Sequence, residues 1–243
     1  MTLLSRLDTE LVQRSLTKSR TLAQTLIKDG IVYVNGGIVQ KPSFEVTSAD
    51  EITVKGDLPK YVGRGGIKLE KALTDFGIAL NGCICIDIGA STGGFTDCML
   101  QNGAALVYAV DVGSNQLDEK LRADKRVVSL ENTDIRNAAD KIHQKADFIT
   151  IDVSFISLKL VLPPAKNLLK PTGSIVALIK PQFEVGKSGL GKHGVVKDES
   201  LRKQAAEEIK QFSADLGLTV NGVITSPITG GEGNIEYLIH LSL

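Results

Sequence analysis

The chain has 243 residues, of which 42% are hydrophobic and 23% charged, a composition typical of a folded globular protein and unlike that of a mostly disordered chain. Lys and Arg total 28, as do Asp and Glu, so a uniformly basic nucleic-acid-binding field is excluded and any basic surface must be local. No apolar run approaches the ~18 residues that span a bilayer, and the first ten residues lack the apolar core of a signal peptide, so we expect a cytoplasmic protein. Three cysteines without partner ligands indicate buried thiols and no metal site.

Residues 1–56 are predicted to form a small α+β domain. Apolar residues recur at helical spacing around Leu11 and again around Leu26, which indicates two short helices. The run 31–39 places Asn35-Gly36 between two segments rich in β-branched residues, which predicts a hairpin. Two helices and a small sheet are close to the lower size limit of an independent domain.

A basic, acid-free stretch covers the second predicted helix. Such a stretch is often no more than a solvated helix face, and the alternative is a surface that contacts nucleic-acid phosphates. The basic residues concerned are Arg14, Lys18, Arg20 and Lys28.

Residues 57–65 are predicted to be an interdomain linker, since Pro59, Gly63 and Gly65 interrupt regular structure. Residues 66–243 then alternate between strands and helices, which predicts an α/β fold with a Rossmann-like, doubly wound parallel sheet. The last two strands have no helix between them, so they should form an antiparallel pair. The predicted strands are 83–88, 106–111, 126–130, 147–153, 174–180, 218–225 and 235–241, and the predicted helices are 67–76, 96–101, 115–121, 158–169 and 200–216.

A glycine-rich turn follows the first of these strands and is the predicted cofactor loop. Its spacing is G-x-x-x-G-G and not the dinucleotide fingerprint G-x-G-x-x-G, so a pyrophosphate cofactor is disfavoured. Asp111 ends the second strand, where a carboxylate suits a ribose diol. The loop and Asp111 together favour S-adenosylmethionine as the cofactor, with Asp87 near its amino-acid part and Asp134 near its adenine. The candidate cofactor residues are Asp87, Gly89, Ser91, Gly93, Gly94, Phe95, Asp111 and Asp134.

Four ionisable residues are predicted to meet where the strands end. Asp152 and Lys180 each follow an apolar strand, Glu236 comes near the start of the last strand, and Lys68 begins the helix before the first strand. These residues are either an ion-pair cluster that stabilises loops or a catalytic group. In the catalytic alternative Lys180 is the base that deprotonates a ribose hydroxyl, and Lys68 stabilises the alkoxide while the two acids orient both amines.

A second glycine-rich stretch, 181–197, contains Gly186-Lys187-Ser188 but lacks the first glycine of a P-loop, because residue 181 is Pro. Its four glycines and three lysines predict a mobile lid or an RNA-facing loop.

Together these motifs resemble a known family. Arg6-Leu7-Asp8, Ser19-Arg20 and the segment 32–36 resemble the small RNA-binding domain first described in ribosomal protein S4, and the remainder resembles the FtsJ-like methyltransferases. The joint arrangement resembles the TlyA family of ribosomal RNA 2′-O-methyltransferases, whose members are often labelled haemolysins. The most specific stretches are 64–69, 87–97, 151–159, 180–184 and 232–236.

The resemblance implies transfer of a methyl group from S-adenosylmethionine to a cytidine ribose of ribosomal RNA, with a class I methyltransferase fold. The family's catalytic tetrad falls on Lys68, Asp152, Lys180 and Glu236, and Arg6 and Arg64 join the candidate RNA-binding residues. Ribosomal RNA or a ribosomal subunit is the implied partner, and shorter family members are associated with the large subunit. Departures at 114–116 and 132–134 affect the predicted adenosine contacts, whereas Lys197 keeps a cation in the long loop.

Two other classes of function remain alternatives: a membrane-lytic protein, which the haemolysin label suggests, and a ribosome-binding factor with an inactive methyltransferase domain. The first would lyse erythrocytes without cofactor, and the second would transfer no methyl group.

Overall fold

The computed structural model describes residues 4–17, 19–56, 59–186 and 189–243, and Lys18, Lys187 and Ser188 therefore lie outside the described residues. The chain divides into two compact units, the first ending at Gly63 and the second beginning at Arg64. None of the described helices is long and apolar enough to cross a membrane.

The N-terminal unit packs two helices against small antiparallel sheets. Helix α2 begins after Ser19, whose hydroxyl accepts a hydrogen bond from the Leu22 amide at 3.2 Å, as an N-cap does. The hairpin predicted at Asn35-Gly36 is present, and both residues have positive φ, at 50° and 81°. The pairing of β1 with β4 was not predicted, because two-residue strands leave no periodicity to detect. The elements are β1 (Ser5–Arg6), α1 (Leu7–Gln13), α2 (Arg20–Lys28), β2 (Val32–Val34), β3 (Gly37–Ile38), β4 (Glu45–Val46) and β5 (Ile52–Val54).

The C-terminal unit is a seven-stranded sheet with helices between the strands, as the alternating pattern predicted. Its strands are β6 (Ile84–Ile88), β7 (Leu106–Val110), β8 (Val127–Leu130), β9 (Ala146–Ile151), β10 (Leu169–Ile179), β11 (Thr219–Thr225) and β12 (Tyr237–Ser242). Its α-helices are α3 (Gly65–Phe76), α4 (Gly94–Gln101), α5 (Glu119–Arg122), α6 (Leu158–Asn167), α7 (Pro181–Glu184) and α8 (Glu199–Asp215).

The strand order is β11-β12-β10-β9-β6-β7-β8. The five strands from β10 to β8 are parallel, and β12 runs antiparallel between β10 and β11, which confirms the predicted fold class. Apolar side chains from both the strands and helices, such as Ile149, Leu162 and Ile209, form the core. The register aligns Ile88 with Ile151 and with Val110, so the carboxyl ends of β6, β9 and β7 meet at one edge.

Several predicted boundaries were wrong. Strand β10 begins at Leu169 and not at 174, so the helix predicted over 158–169 ends at Asn167. The helix predicted over 115–121 is reduced to α5, because the Glu131 carboxylate accepts the amides of Gln116 and Leu117 and holds that segment as a loop. Helix α3 begins at Gly65 and not at 67, so Gly65 belongs to the first helical turn and not to the predicted linker.

Candidate active site

Two buried lysine–carboxylate pairs lie in the C-terminal unit. Lys68 Nζ is 2.6 Å from Glu236 Oε2, and Lys180 Nζ is 2.6 Å from Asp152 Oδ1. The lysine side chains are only 10% and 11% exposed. A buried ammonium is costly unless a carboxylate compensates it, and each lysine here has one. The four candidate catalytic residues therefore form two ion pairs.

The sheet register explains why these residues share one edge. Ile179 of β10 faces Tyr237 of β12, so Lys180 and Glu236, the next residues outward, leave the two strands side by side. Asp152 follows β9, which neighbours β10, and its amide donates to the Ile88 carbonyl at 2.9 Å.

Helix α3 supplies Lys68 from the first helical turns, where it faces β12. The loop before β12 approaches Glu236 so closely that a Cβ on Gly230 would overlap the Glu236 carboxylate. Only a glycine therefore fits at residue 230 with the carboxylate in this position.

Lys180 has a second partner that the sequence did not reveal. Its ammonium donates to Ser154 Oγ at 3.0 Å. Ser154 therefore helps to fix the direction of the Lys180 amine together with Asp152.

Two phenylalanines flank the Lys180–Asp152 pair. Phe155 is 90% exposed and has a φ of 64°, a left-handed conformation that costs free energy for a bulky side chain. Its ring lies 5.1 Å from that of Phe183, with 50° between the planes, and Phe183 comes three residues after Lys180. An exposed aromatic side chain held on strained backbone beside paired ionisable groups is characteristic of a functional site. The one signal in the sequence is the position of each Phe three residues after a candidate catalytic residue.

Asp87 is completely buried at the end of β6. Its two carboxylate oxygens accept hydrogen bonds from the hydroxyls of Thr96, at 2.6 Å, and Thr150, at 2.9 Å. Burial raises the pKa of Asp87 to about 6, although these hydrogen bonds oppose the shift. Asp87 thus joins β6 to β9 and α4, and its direct contact with a cofactor stays a prediction.

The glycine-rich loop after β6 has the compact backbone that its sequence implies. Gly89, Ser91 and Gly93 all have positive φ. A Cβ on Gly89 would overlap the Asp152 carbonyl oxygen, and one on Gly93 would overlap Leu121. Gly94 and Phe95 follow as the buried first turn of α4. The loop therefore needs glycine at residues 89 and 93.

Asp111 connects this loop to the end of β7. One carboxylate oxygen accepts the Ser91 amide and the other accepts the Gly113 amide, both at 2.7 Å. The carboxylate remains partly exposed at the edge where the parallel strands end. The next residue, Val112, is 72% exposed and places an apolar surface beside it.

Asp134 has a different environment. Its carboxylate accepts the Arg136 backbone amide at 2.9 Å and pairs with the Arg136 guanidinium at 2.6 Å. The hydrogen bonds from Arg136 lower the pKa of Asp134, and its role toward adenine stays a prediction.

The part of the second glycine-rich stretch that the structure describes is attached to the loop that carries Glu236. The buried Asn234 side chain accepts the Val196 amide at 3.1 Å and donates to the Gly194 carbonyl at 3.3 Å. The mobile lid or RNA-facing loop predicted for 181–197 stays a prediction.

The candidate RNA-binding residues of the N-terminal unit fall into two kinds. The Arg6 and Arg20 side chains are 46% and 57% exposed and pair with Asp8, whereas Lys28 is exposed at the end of α2. Arg14 is instead directed at its own unit, since it donates to the Glu10 carboxylate and to the carbonyls of Asp50 and Thr47 at 2.7–2.8 Å. Contact of Arg14 with RNA stays a prediction, and these bonds favour a structural role.

Arg64 is exposed and immediately precedes α3, so the sequence-based RNA role for it is compatible with its position. Among the described residues, no group of three or more His, Cys, Asp or Glu side chains could hold a metal ion.

Comparisons with known proteins agree with this division. The FtsJ-like methyltransferase family model matches residues 61–243, and the S4 domain model matches residues 5–52. The chain is 50% identical over 238 residues to the "Putative rRNA methyltransferase YqxC" of Bacillus subtilis, covering 97% of this chain and 85% of that protein.

It is also 44% identical over 239 residues to the "16S/23S rRNA (cytidine-2'-O)-methyltransferase TlyA" of Mycobacterium tuberculosis, covering 98% of this chain and 89% of that protein. A solved structure titled "Putative hemolysin from Streptococcus thermophilus" superposes with a TM-score of 0.78 at 46% identity and covers 99% of this chain and 89% of that one.

Proposed function

Because the chain belongs to the FtsJ-like methyltransferase family, in the TlyA group whose members carry an N-terminal S4 domain, we propose that it methylates the 2′-hydroxyl of a cytidine in ribosomal RNA. S-adenosylmethionine is the proposed methyl donor. The observation that carries the proposal is the pair of buried lysine–carboxylate contacts at the edge where the parallel strands of a methyltransferase fold end. Ligands of such sheets bind outside the carboxyl ends of the strands.

The residues at that edge fit S-adenosylmethionine. Asp111 offers a carboxylate whose position is fixed by two backbone amides, which suits two adjacent ribose hydroxyls. Val112 offers an exposed apolar surface for adenine, and Gly89 and Gly93 allow the loop backbone to pack closely against Asp152 and Leu121. When bound, S-adenosylmethionine supplies a methyl group activated by a positively charged sulfur.

The lysines supply the acid–base chemistry. Lys180 Nζ, in its neutral form, accepts the proton of the ribose 2′-hydroxyl and so makes the oxygen nucleophilic. Asp152 and Ser154 hold the amine in a fixed direction, since each lies within 3.0 Å of Nζ. Lys68, held by Glu236, places a second positive charge at the same edge, where it stabilises the negative charge that develops on the oxygen.

Phe155 and Phe183 provide a surface for the substrate base. Nucleobases stack on aromatic side chains, and unpaired bases can be displaced from an RNA helix onto such a surface. The strained backbone of Phe155 keeps its ring exposed next to Asp152, and this proximity supports a role in holding the target nucleotide.

Methyl transfer from radiolabelled S-adenosylmethionine to ribosomal subunits and to free ribosomal RNA tests the proposal. We expect wild-type protein to label one or a few cytidines at the 2′-oxygen, located by mapping of modified nucleotides. Lys180→Ala should label none. Labelling of a nucleobase, or of no RNA at all, would contradict the proposal.

The same preparations distinguish the alternatives. A ribosome-binding factor with an inactive domain would bind subunits without transferring label. A membrane-lytic protein would lyse erythrocytes in the absence of S-adenosylmethionine, and Lys180→Ala would lyse them equally well.

A further inference from the structure

The buried carboxylate of Asp8 is the centre of a polar cluster in the N-terminal unit. It is 0% exposed, and it accepts hydrogen bonds from Arg6 Nε and Nη2, each at 3.0 Å, and from Arg20 Nε at 3.0 Å. Gln24 Nε2 donates to the same carboxylate at 2.8 Å. These hydrogen bonds lower the pKa of Asp8, with Arg6 contributing most, so the group is ionised at neutral pH.

The two arginines come from separate elements, Arg6 from β1 and Arg20 from the first residue of α2. Their side chains are about half exposed while the carboxylate between them is buried. Asp8 therefore holds the Arg6 guanidinium along one edge and the Arg20 guanidinium through Nε. A guanidinium is planar and carries five donors, so it can bond to a carboxylate along one edge and to a phosphate along another.

Arg14 shows how a guanidinium of the same unit is placed when all three of its nitrogens bond within the unit. Its Nε and both terminal nitrogens donate to acceptors of the unit itself. The bonds of Arg20 to Asp8 use Nε, and those of Arg6 use Nε and one terminal nitrogen. Asp8 thus fixes both side chains through Nε and keeps them on the surface.

We infer that Asp8 is a positioning residue that holds Arg6 and Arg20 side by side as a binding site for neighbouring phosphates of an RNA backbone. The inference rests on the proposed RNA methyltransferase function and adds a role for a buried acid in substrate binding. Fixing two long side chains before binding removes the entropic cost of ordering them when RNA binds.

The substitution Asp8→Asn distinguishes a positioning role of Asp8 from a purely electrostatic one, because the two predict opposite changes in RNA affinity. It removes a negative charge close to the proposed phosphate site, so electrostatics alone predicts equal or tighter RNA binding. Loss of positioning predicts binding that is weaker by about 5- to 50-fold. Because both arginines remain, the dependence of affinity on salt should keep its wild-type slope.

Asp50→Asn is the matched control. It removes the same charge in the same unit from a carboxylate that is bonded to Thr47 and Asn35. We expect this variant to bind RNA at least as tightly as wild type. Thermal unfolding of both variants, as full-length chains, shows whether each is folded at the assay temperature.

Arg20→Lys provides a second route if Asp8→Asn does not fold. It keeps the positive charge and loses the planar guanidinium that can bond to the Asp8 carboxylate and to a phosphate at the same time. Weaker binding of ribosomal RNA with an unchanged salt slope supports the inference, and wild-type affinity overturns it.

The double variant Arg6→Ala/Arg20→Ala separates this inference from the proposed function. It should weaken binding and lower the salt slope by about 0.7–0.9 per lost phosphate contact. If it does so while folded Asp8→Asn binds as tightly as wild type, the positioning role of Asp8 is overturned and the RNA-binding role of the unit stands. If the double variant itself binds normally, the role of this surface in RNA binding fails and the inference fails with it.

Discussion

Both units of the protein pair cations with largely buried carboxylates, but they differ in how far the cation itself is buried. In the N-terminal unit the acid is buried and the Arg6 and Arg20 side chains are 46% and 57% exposed. In the C-terminal unit Lys68 and Lys180 are 10% and 11% exposed. Exposed arginines can contact a large anionic surface, whereas buried lysines can exchange a proton with a group that enters a closed site. In the function we propose, the exposed arginines bind RNA and the buried lysines carry out the chemistry.

The largest expected effect comes from Lys180→Ala. Loss of a general base lowers the rate of methyl transfer by about 10²- to 10⁴-fold, because the transition state loses stabilisation. Affinity for S-adenosylmethionine should stay within a few-fold, as measured by calorimetric titration. Lys166→Ala, a lysine of the same unit that donates to the Leu216 carbonyl, is the control and should keep its turnover. Retained turnover in Lys180→Ala would show that another group is the base.

Asp111→Ala, in the same unit, should lower the affinity for the cofactor, which Lys180→Ala leaves nearly unchanged. Loss of a charged acceptor for the ribose weakens cofactor binding by about 1.5–3 kcal/mol. Asp124→Ala removes a partly exposed acid that pairs with Arg126 and should leave cofactor affinity unchanged. Equal cofactor affinities for wild type and Asp111→Ala, measured by titration, would remove Asp111 from the cofactor site.

Phe155→Ala tests whether the C-terminal unit also contacts the substrate base. Loss of one stacking contact should lower kcat/KM for RNA by the equivalent of about 1–3 kcal/mol, without changing cofactor affinity. Phe155→Tyr should be close to wild type, and Leu160→Ala, which shortens another exposed apolar side chain, is the control.

Phe155→Gly adds a stability measurement. It relieves the left-handed backbone of residue 155, so the free energy of unfolding should rise by about 1 kcal/mol while activity falls. Parallel loss of stability and activity would indicate that Phe155 is structural.

The last expected effect concerns Asp87 and pH. Its folded-state pKa of about 6 lies above the unfolded value, so the folded state binds the proton more tightly and the stability of the protein falls as pH rises from about 4 through 6. Between pH 7.5 and 5, wild type should gain about 1–2 kcal/mol of unfolding free energy relative to Asp87→Asn. Denaturant titrations of both proteins measure the difference, and a pH-independent difference would mean that Asp87 is not the titrating group.

The sequence predicted the strands of the large sheet and the meeting of four ionisable residues where those strands end, because both depend on local order, and the catalytic role of the four residues stays a prediction. Apolar runs end at Asp152 and at Lys180, and parallel strands bring such ends together. It did not reveal Ser154 as a partner of Lys180, because the two residues meet only through the pairing of β9 with β10.

The N-terminal unit was less predictable. Charge counting grouped Arg14 with Arg20. In the fold, however, Arg14 donates to the backbone carbonyls of its own unit, whereas the Arg20 side chain is exposed. A count of basic residues cannot reveal that β1 pairs with β4 or that Asp8 is buried. These contacts decide which arginines remain exposed to a partner.

The central claim is that exposed arginines bind the RNA and buried lysines perform the transfer. Methyl-transfer rates measured against ribosomal RNA concentration, for Arg6→Ala/Arg20→Ala and for Lys180→Ala, test it most directly. The account predicts that saturating RNA restores the wild-type rate to the arginine variant, whose KM is raised, and restores nothing to Lys180→Ala. A saturated rate reduced equally in both variants would contradict the account.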